Sequence, residues 1–189
     1  MLECLPSTIV DCKKINLNEV DFTNCEDLTI WHYNPASRSL NDLPYAKYIK
    51  SLKIYHSNIT SFEGLERFGC LKNLETAYCR NLMSFDGIPM NVSFLMIEHA
   101  PKLFDYDKLA RLKNVEVLRL HECGNMANLS FISSMDMLRE FRFFNTSVLD
   151  GNLQPLIEHY PKLQAIAFNN KRHYSHTLKQ IHELLSISS

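Results

Sequence analysis

The chain has 189 residues, 46% of them hydrophobic and 22% charged, with a formal net charge of -1. That is enough apolar material for one continuous core and too much for a disordered chain. A near-neutral balance argues against a protein that neutralises nucleic-acid phosphates, and no stretch approaches the roughly 20 apolar residues that span a bilayer.

The segment Met1–Val10 has no basic start and no long apolar run, so it does not read as a secretory signal, and the chain is expected to be cytoplasmic. Ile9-Val10 and Ile15-x-Leu17 suggest one or two short strands, forming an N-terminal cap over residues 1–24. Six cysteines, at 4, 12, 25, 70, 79 and 123, form no C-x-x-C pair, which argues against a zinc ribbon or a thioredoxin-like centre and for reduced, mostly buried thiols. The N-x-S/T sequons beginning at Asn58, Asn91, Asn128 and Asn145 matter only in a secreted protein and are read as chance.

From Cys25 onward one pattern recurs. Cys25-x-x-Leu28-x-Ile30 aligns with Ile49-x-x-Leu52-x-Ile54, Leu71-x-x-Leu74-x-Thr76 and Val92-x-x-Leu95-x-Ile97. Val115-x-x-Leu118-x-Leu120, Leu138-x-x-Phe141-x-Phe143 and Leu163-x-x-Ile166-x-Phe168 complete seven rows, whose starts lie 24, 22, 21, 23, 23 and 25 residues apart. Of the 21 cells 20 are apolar, where the overall composition would fill about ten, and Thr76 is the exception. The fourth and sixth columns alternate with polar positions, so each row predicts a short strand with one buried face. One such strand cannot bury its own apolar side, so neighbouring rows must stack into a parallel sheet.

A second apolar set follows most strands: Phe62, Leu65 and Phe68; Phe85 and Ile88; Tyr106, Leu109 and Leu112; Leu129, Ile132 and Met135; Leu153, Leu156 and Tyr160. The spacing of three or four predicts one or two helical turns on the far side of the sheet, and Pro89, Pro101 and Pro161 fall in or near the connections. Residues 177–189 predict a C-terminal capping helix, with Thr177 as N-cap and an apolar stripe of Leu178, Ile181, Leu184 and Leu185. No linker interrupts the chain, so residues 1–189 are read as one domain with seven repeats over 25–176.

These rows resemble the leucine-rich-repeat family, whose unit reads L-x-x-L-x-L-x-x-N/C-x-L over 20 to 29 residues. Cys79 and Cys123 match the ninth column, Ser57 and Thr146 are small polar stand-ins able to bond the turn backbone, and Tyr33, Ala100 and Lys171 depart from it. The resemblance covers about residues 25–175. It implies an α/β fold, a leucine-rich-repeat solenoid with a curved parallel β-sheet on the concave face and short helices or turns on the convex face. It also implies that the concave face binds a protein partner.

The exposed third, fifth, seventh and eighth columns would then carry the binding residues. They supply Asp27, Trp31 and His32, then Tyr55 and His56, then Glu75 and Tyr78, then Phe94, Met96, Glu98 and His99. The later rows add Arg119, His121 and Glu122, and Glu140, Arg142 and Phe144. Trp31, Tyr55, Tyr78, Phe94 and Phe144 give this face large rigid rings, the material of protein-binding hot spots, although strands favour aromatic residues in any case. Five acids (Asp27, Glu75, Glu98, Glu122, Glu140) face three bases (Lys53, Arg119, Arg142), so a partner with a basic surface would be steered towards it. His32 and His56, on strands about 4.8 Å apart, could share a metal, but only Asp27 and Glu98 offer further ligands. A solvated polar ladder, or a pH-sensitive edge, is the expectation, with no metal and no cofactor.

No G-x-S-x-G, H-E-x-x-H, phosphate loop or G-x-G-x-x-G is present, and five glycines leave little for a phosphate cradle. His121-Glu122-Cys123 places a thiol beside a base, but the row pattern turns Cys123 inward and His121 outward. A non-catalytic binding module is therefore expected, as a monomer or a heterodimer with its partner. Stand-alone, irregular repeats of this size are similar to bacterial immunity proteins that neutralise a toxin. An adaptor or regulatory subunit is the alternative, and a metal or thiol enzyme the contrasting class.

Overall fold

The protein was analysed as a computed structural model, which describes residues 2–3 and 6–187. Its strands are β1 (Leu2–Glu3), β2 (Ser7–Asp11), β3 (Val20–Asp21), β4 (Asp27–Trp31), β5 (Ser51–Tyr55) and β6 (Asn73–Ala77). β7 (Phe94–Ala100), β8 (Val117–Cys123), β9 (Glu140–Phe144) and β10 (Ala165–Phe168) follow. β1 and β3 form a two-stranded sheet, and the other eight form one parallel sheet in the order β10-β9-β8-β7-β6-β5-β4-β2. From β4 onward that is strict chain order, so each unit of the sequence contributes one strand laid beside the last. The fold is α/β, with few helices.

The register follows the columns of the sequence. Leu28, Leu52, Leu74, Leu95, Leu118, Phe141 and Ile166 are paired in succession, and so are Ile30, Ile54, Thr76, Ile97, Leu120, Phe143 and Phe168. All fourteen are buried. A one-residue slip would turn every one of these side chains to solvent, which is why register is strongly specified in such a sheet. At about 25 cal/mol per Å2, each buried leucine or isoleucine contributes roughly 2 kcal/mol.

The second apolar set closes the core from the other side: Phe62, Leu65, Phe68, Phe85, Ile88, Tyr106, Leu109, Leu112, Leu129, Ile132, Met135, Leu153 and Leu156 are buried. Three of these connections form 3-10 turns, Leu65–Arg67, Tyr106–Arg111 and Ser130–Ser134, and a fourth forms the short helix α1 (Gln154–Glu158). The Phe85–Ile88 connection stays a plain turn through Gly87, whose φ of +91° and close approach to the Phe62 carbonyl leave no room for a side chain.

Four of the ninth-column side chains bond the turn backbone. Cys123 Sγ reaches the Ile97 carbonyl at 3.4 Å, and Cys79 Sγ reaches that of Ile54 at 3.8 Å. Ser57 Oγ donates to the Tyr33 carbonyl, and Thr146 Oγ1 accepts from Cys123 N–H at 3.0 Å. Buried backbone groups that the strand ladders leave over are satisfied this way.

Both ends differ from expectation in detail. β2 joins the main sheet in register, Thr8 beside Leu28 and Val10 beside Ile30, so the N-terminal segment supplies a full edge strand. Ile15-x-Leu17 is no strand: Asn16 accepts Asn18 N–H and starts a 3-10 turn at Leu17–Glu19, after which β3 begins. An asparagine that caps a turn with its own side chain competes successfully with strand formation. At the other end α2 (Leu178–Ile187) starts as expected, with Thr177 and Gln180 bonding each other's N–H groups. Ile181 is buried, but Leu184 is 42% exposed and lies off the buried stripe. His182 Nε2 bonds the Ile166 carbonyl at 3.2 Å, which occupies a group on the outer edge of β10. Among the described residues no helix is long and apolar enough to cross a membrane.

Candidate binding face

The face of the sheet opposite the core carries the third, fifth and seventh columns. Asp27, Phe94 and Glu140 lie in the third; Glu75, Met96, Arg119 and Arg142 in the fifth; Trp31, Tyr55, Glu98, His121 and Phe144 in the seventh. All are at least partly exposed. His32, His56, Tyr78, His99 and Glu122 occupy the eighth column, but they are not ordinary strand positions. Each has positive φ, at 56°, 55°, 58°, 54° and 54°, and Asn145 continues the series at 51°.

The eighth column is thus a rim where the chain turns off the sheet through a left-handed residue, except that β7 and β8 pair once more beyond it, at Ala100 and Cys123. The N–H groups of His32, His56 and Tyr78 extend the ladder by one bond, to the carbonyls of Tyr55, Ala77 and Glu98. Non-glycine residues pay about 1–2 kcal/mol to adopt this conformation, and asparagine and histidine are several-fold enriched among those that do. The recurrence of histidine here therefore has a backbone cause. Tyr78 and Glu122 have no such excuse.

Stacking rows at strand spacing converts the rim into a continuous series of rings. His32 and His56 stack at 5.5 Å between centroids, His56 and Tyr78 at 4.7 Å with planes 1° apart, and Tyr78 meets His99 edge-on at 4.4 Å. Trp31 joins from the seventh column, 4.8 Å from Tyr55 and 5.6 Å from His56. His32 and His56 present faces to each other, so their nitrogens do not converge on a shared cation. Among the described residues no group of three or more histidine, cysteine or acidic side chains is placed to hold a metal ion.

The expected aromatic face is split rather than continuous. Ala77 and Glu98 separate Tyr55 from His121 and Phe144, which meet edge-on at 6.5 Å. Phe94 lies at the far end of its strand beneath Arg119, whose guanidinium carbon is 5.3 Å from the ring centre. Asp27 is also remote from the rings, at the start of β4.

The charges sort into two kinds. Glu75 pairs with Lys53 at 3.2 Å, and that bond raises the lysine pKa. Glu140 takes Arg119 at 2.6 Å and Arg142 at 2.9 Å. Two more carboxylates lie against imidazoles, Glu98 at 3.5 Å from His121 and Glu122 paired with His99, while Asp27 enters none of these pairs. Asp11, which the sequence pattern did not mark, completes the set by bonding His32 Nδ1 at 2.9 Å, and this bond is the main reason its carboxyl is held below the ordinary range. Burial, then Glu75, pushes the Tyr55 hydroxyl up. Asp11 was concealed because Thr8 stands where the other rows have a large apolar residue. Only the alternation Thr8-x-Val10 marks β2 as a row.

His121 and Cys123 turn apart. The imidazole stays among Glu98, Glu122 and Phe144, while the thiol is buried against carbonyls, and burial pushes it up to about 12. A cleft of about 760 Å3 lies beside the rim at the β2 end and is lined in part by Lys14, Asn16, Tyr33 and Asp42, sharing only His32 with the face. Comparison of the chain with protein-family models, with curated proteins and with solved structures gives no match in any of the three.

Proposed function

We propose that the chain is a non-catalytic protein-binding module, a leucine-rich-repeat-like solenoid that uses the ringed face of its sheet as a concave recognition surface. The observation that carries this reading is Tyr78. It is 38% exposed, sits at a φ of 58° that a tyrosine adopts only at a cost, stacks on His56 and meets His99 edge-on. Asparagine at 145 meets the same backbone demand without a ring. Large rigid rings on an exposed, well-ordered surface supply contact area at low entropic cost. The buried thiols of Cys79 and Cys123, pushed up to about 11 and about 12, do not suit nucleophilic chemistry.

Within this reading the partner has a basic surface and the chain acts as an inhibitor, the role that resemblance to immunity proteins suggests for a toxin's cognate. The test is affinity capture from lysate of the source cell, with the chain beside a His56→Ala, Tyr78→Ala variant. A single stoichiometric partner lost by the variant is the expected result. A partner retained fully by the variant, or none at all, defeats the proposal.

A further inference from the structure

The geometry points to one side-chain chemistry for the partner: an arginine-bearing extended segment, lying across the strands along the rim. This inference rests on the protein-binding reading and narrows it to a site. Along the seventh and eighth columns from β2 to β8 the residues are Asp11 and Cys12, Trp31 and His32, Tyr55 and His56, Ala77 and Tyr78, Glu98 and His99, and His121 and Glu122. There is no lysine or arginine among them; Lys13 and Arg80 lie just outside, in the turns. The strip crosses five strand spacings, roughly 24 Å, which about seven extended residues can follow.

Its two ends are acidic and its middle is aromatic. Asp11 closes one end, and Glu98 and Glu122 the other. Among the described residues, the ionisable side chains within ion-pair distance of these three are imidazoles. Elsewhere on the same face Glu75 and Glu140 are answered by Lys53, Arg119 and Arg142, and Asp27 stands apart at the start of β4. Apart from Asp27, the strip therefore holds the carboxylates of this face that the chain's own lysines and arginines leave for a cation.

The protein supplies its own example of what fits. Arg119 lies over the Phe94 ring and at the same time pairs with Glu140. A planar guanidinium can stack on a ring while its N–H groups take a carboxylate, which a compact ammonium does less well. Tyr55 and Tyr78, with Glu98 beyond them, repeat that combination of ring and carboxylate; Arg80 lines the same stretch of rim as His56 and Tyr78, but Glu98 takes His121 rather than Arg80.

Trp31 is the only tryptophan and sits in the strip, so its fluorescence reports binding there. The probes are acetyl-(Gly-Arg)3-amide and its lysine and citrulline counterparts, the last preserving shape without charge. Saturable change is expected with the arginine peptide, at least threefold weaker binding with lysine, and no saturation with citrulline. Glu98→Gln with Glu122→Gln should weaken the arginine peptide at least fivefold, and Glu63→Gln, an exposed acid outside the strip, should not. Unchanged thermal melting of each variant shows that the fold is retained. No saturation with arginine, equal binding of lysine or citrulline, or equal weakening by Glu63→Gln overturns the inference. Captured partner without arginine-peptide binding sinks this inference alone; arginine-peptide binding without a captured partner sinks the protein-binding reading and leaves the cation strip standing.

Discussion

Replacing Thr76 by valine should stabilise the protein. Thr76 is the one polar residue in the fourth and sixth columns of the seven rows, 1% exposed, and its Oγ1 is buried with no hydrogen-bond partner among the described residues. Its neighbours in register are Ile54 and Ile97, so the hydroxyl sits in an aliphatic layer. Withdrawing a hydroxyl from water without a compensating bond costs about 1–3 kcal/mol. Valine has the same branching and the same strand preference, so the exchange removes that penalty without a new rotamer cost. A gain of about 1–2 kcal/mol is expected, or a rise in Tm of about 2–4 °C per kcal/mol for a chain of this size. Urea unfolding is the assay: the midpoint should rise with the m-value unchanged. Ser57→Ala is the opposite case, because Ser57 Oγ donates to the buried Tyr33 carbonyl, and it should cost about 1–2 kcal/mol. A Thr76→Val protein that is no more stable than the parent would refute the reasoning, since the hydroxyl would then have to be satisfied in the folded state.

Gly87→Ala should destabilise by at least about 2 kcal/mol in the same assay, because a Cβ would stand 2.1 Å from the Phe62 carbonyl group at a φ of +91°. With a thiol reagent, exposed Cys70 should react at once, while Cys79 and Cys123, buried and pushed up to about 11 and 12, should react only as fast as the protein unfolds; rapid modification of either would be contrary evidence. His159 is held below its ordinary value of 6.5, first by burial and then by Lys162, so the unfolded chain takes up this proton before the folded one. Its contribution is therefore intact above about pH 6.5 and is lost as the pH falls from there through the lower folded value. His159→Gln should flatten the decline of the urea midpoint between pH 7.5 and 5.5, and an identical decline in both proteins would count against it.

How far the fold was legible follows from what each feature depends on. Columns four and six could be read because burial on one face of a strand imposes a period of two, and Leu28, Leu52, Leu74, Leu95 and Leu118 occupy one position every 21 to 24 residues. The aligned columns turned out to be the backbone register itself. The ends were less legible because they break the pattern for local reasons. Asn16 caps a turn where Ile15-x-Leu17 alternates like a strand, and Thr8 takes a leucine's place in β2. Leu184 fits a helical stripe by spacing, yet α2 turns it outward.

The face was legible as a set of positions and illegible as a surface, and the eighth column shows why. The sign of φ at His32, His56, Tyr78, His99 and Glu122 is set by where the chain must go next, not by the residue itself. Read as strand residues, the histidines suggested a ladder able to share a metal. Read as left-handed residues, they are partly a backbone choice, and their rings stack face to face. Pairing across rows had the same effect on charge. Five acids against three bases is a property of composition, but Glu75 and Glu140 are answered on the face, and Asp11, Glu98 and Glu122 meet imidazoles. Charge left over after internal pairing is what a partner encounters. In this chain all of it but Asp27 borders the same rim that holds Trp31, Tyr55 and Tyr78, so on the proposed reading ring and carboxylate would meet a partner's side chain together.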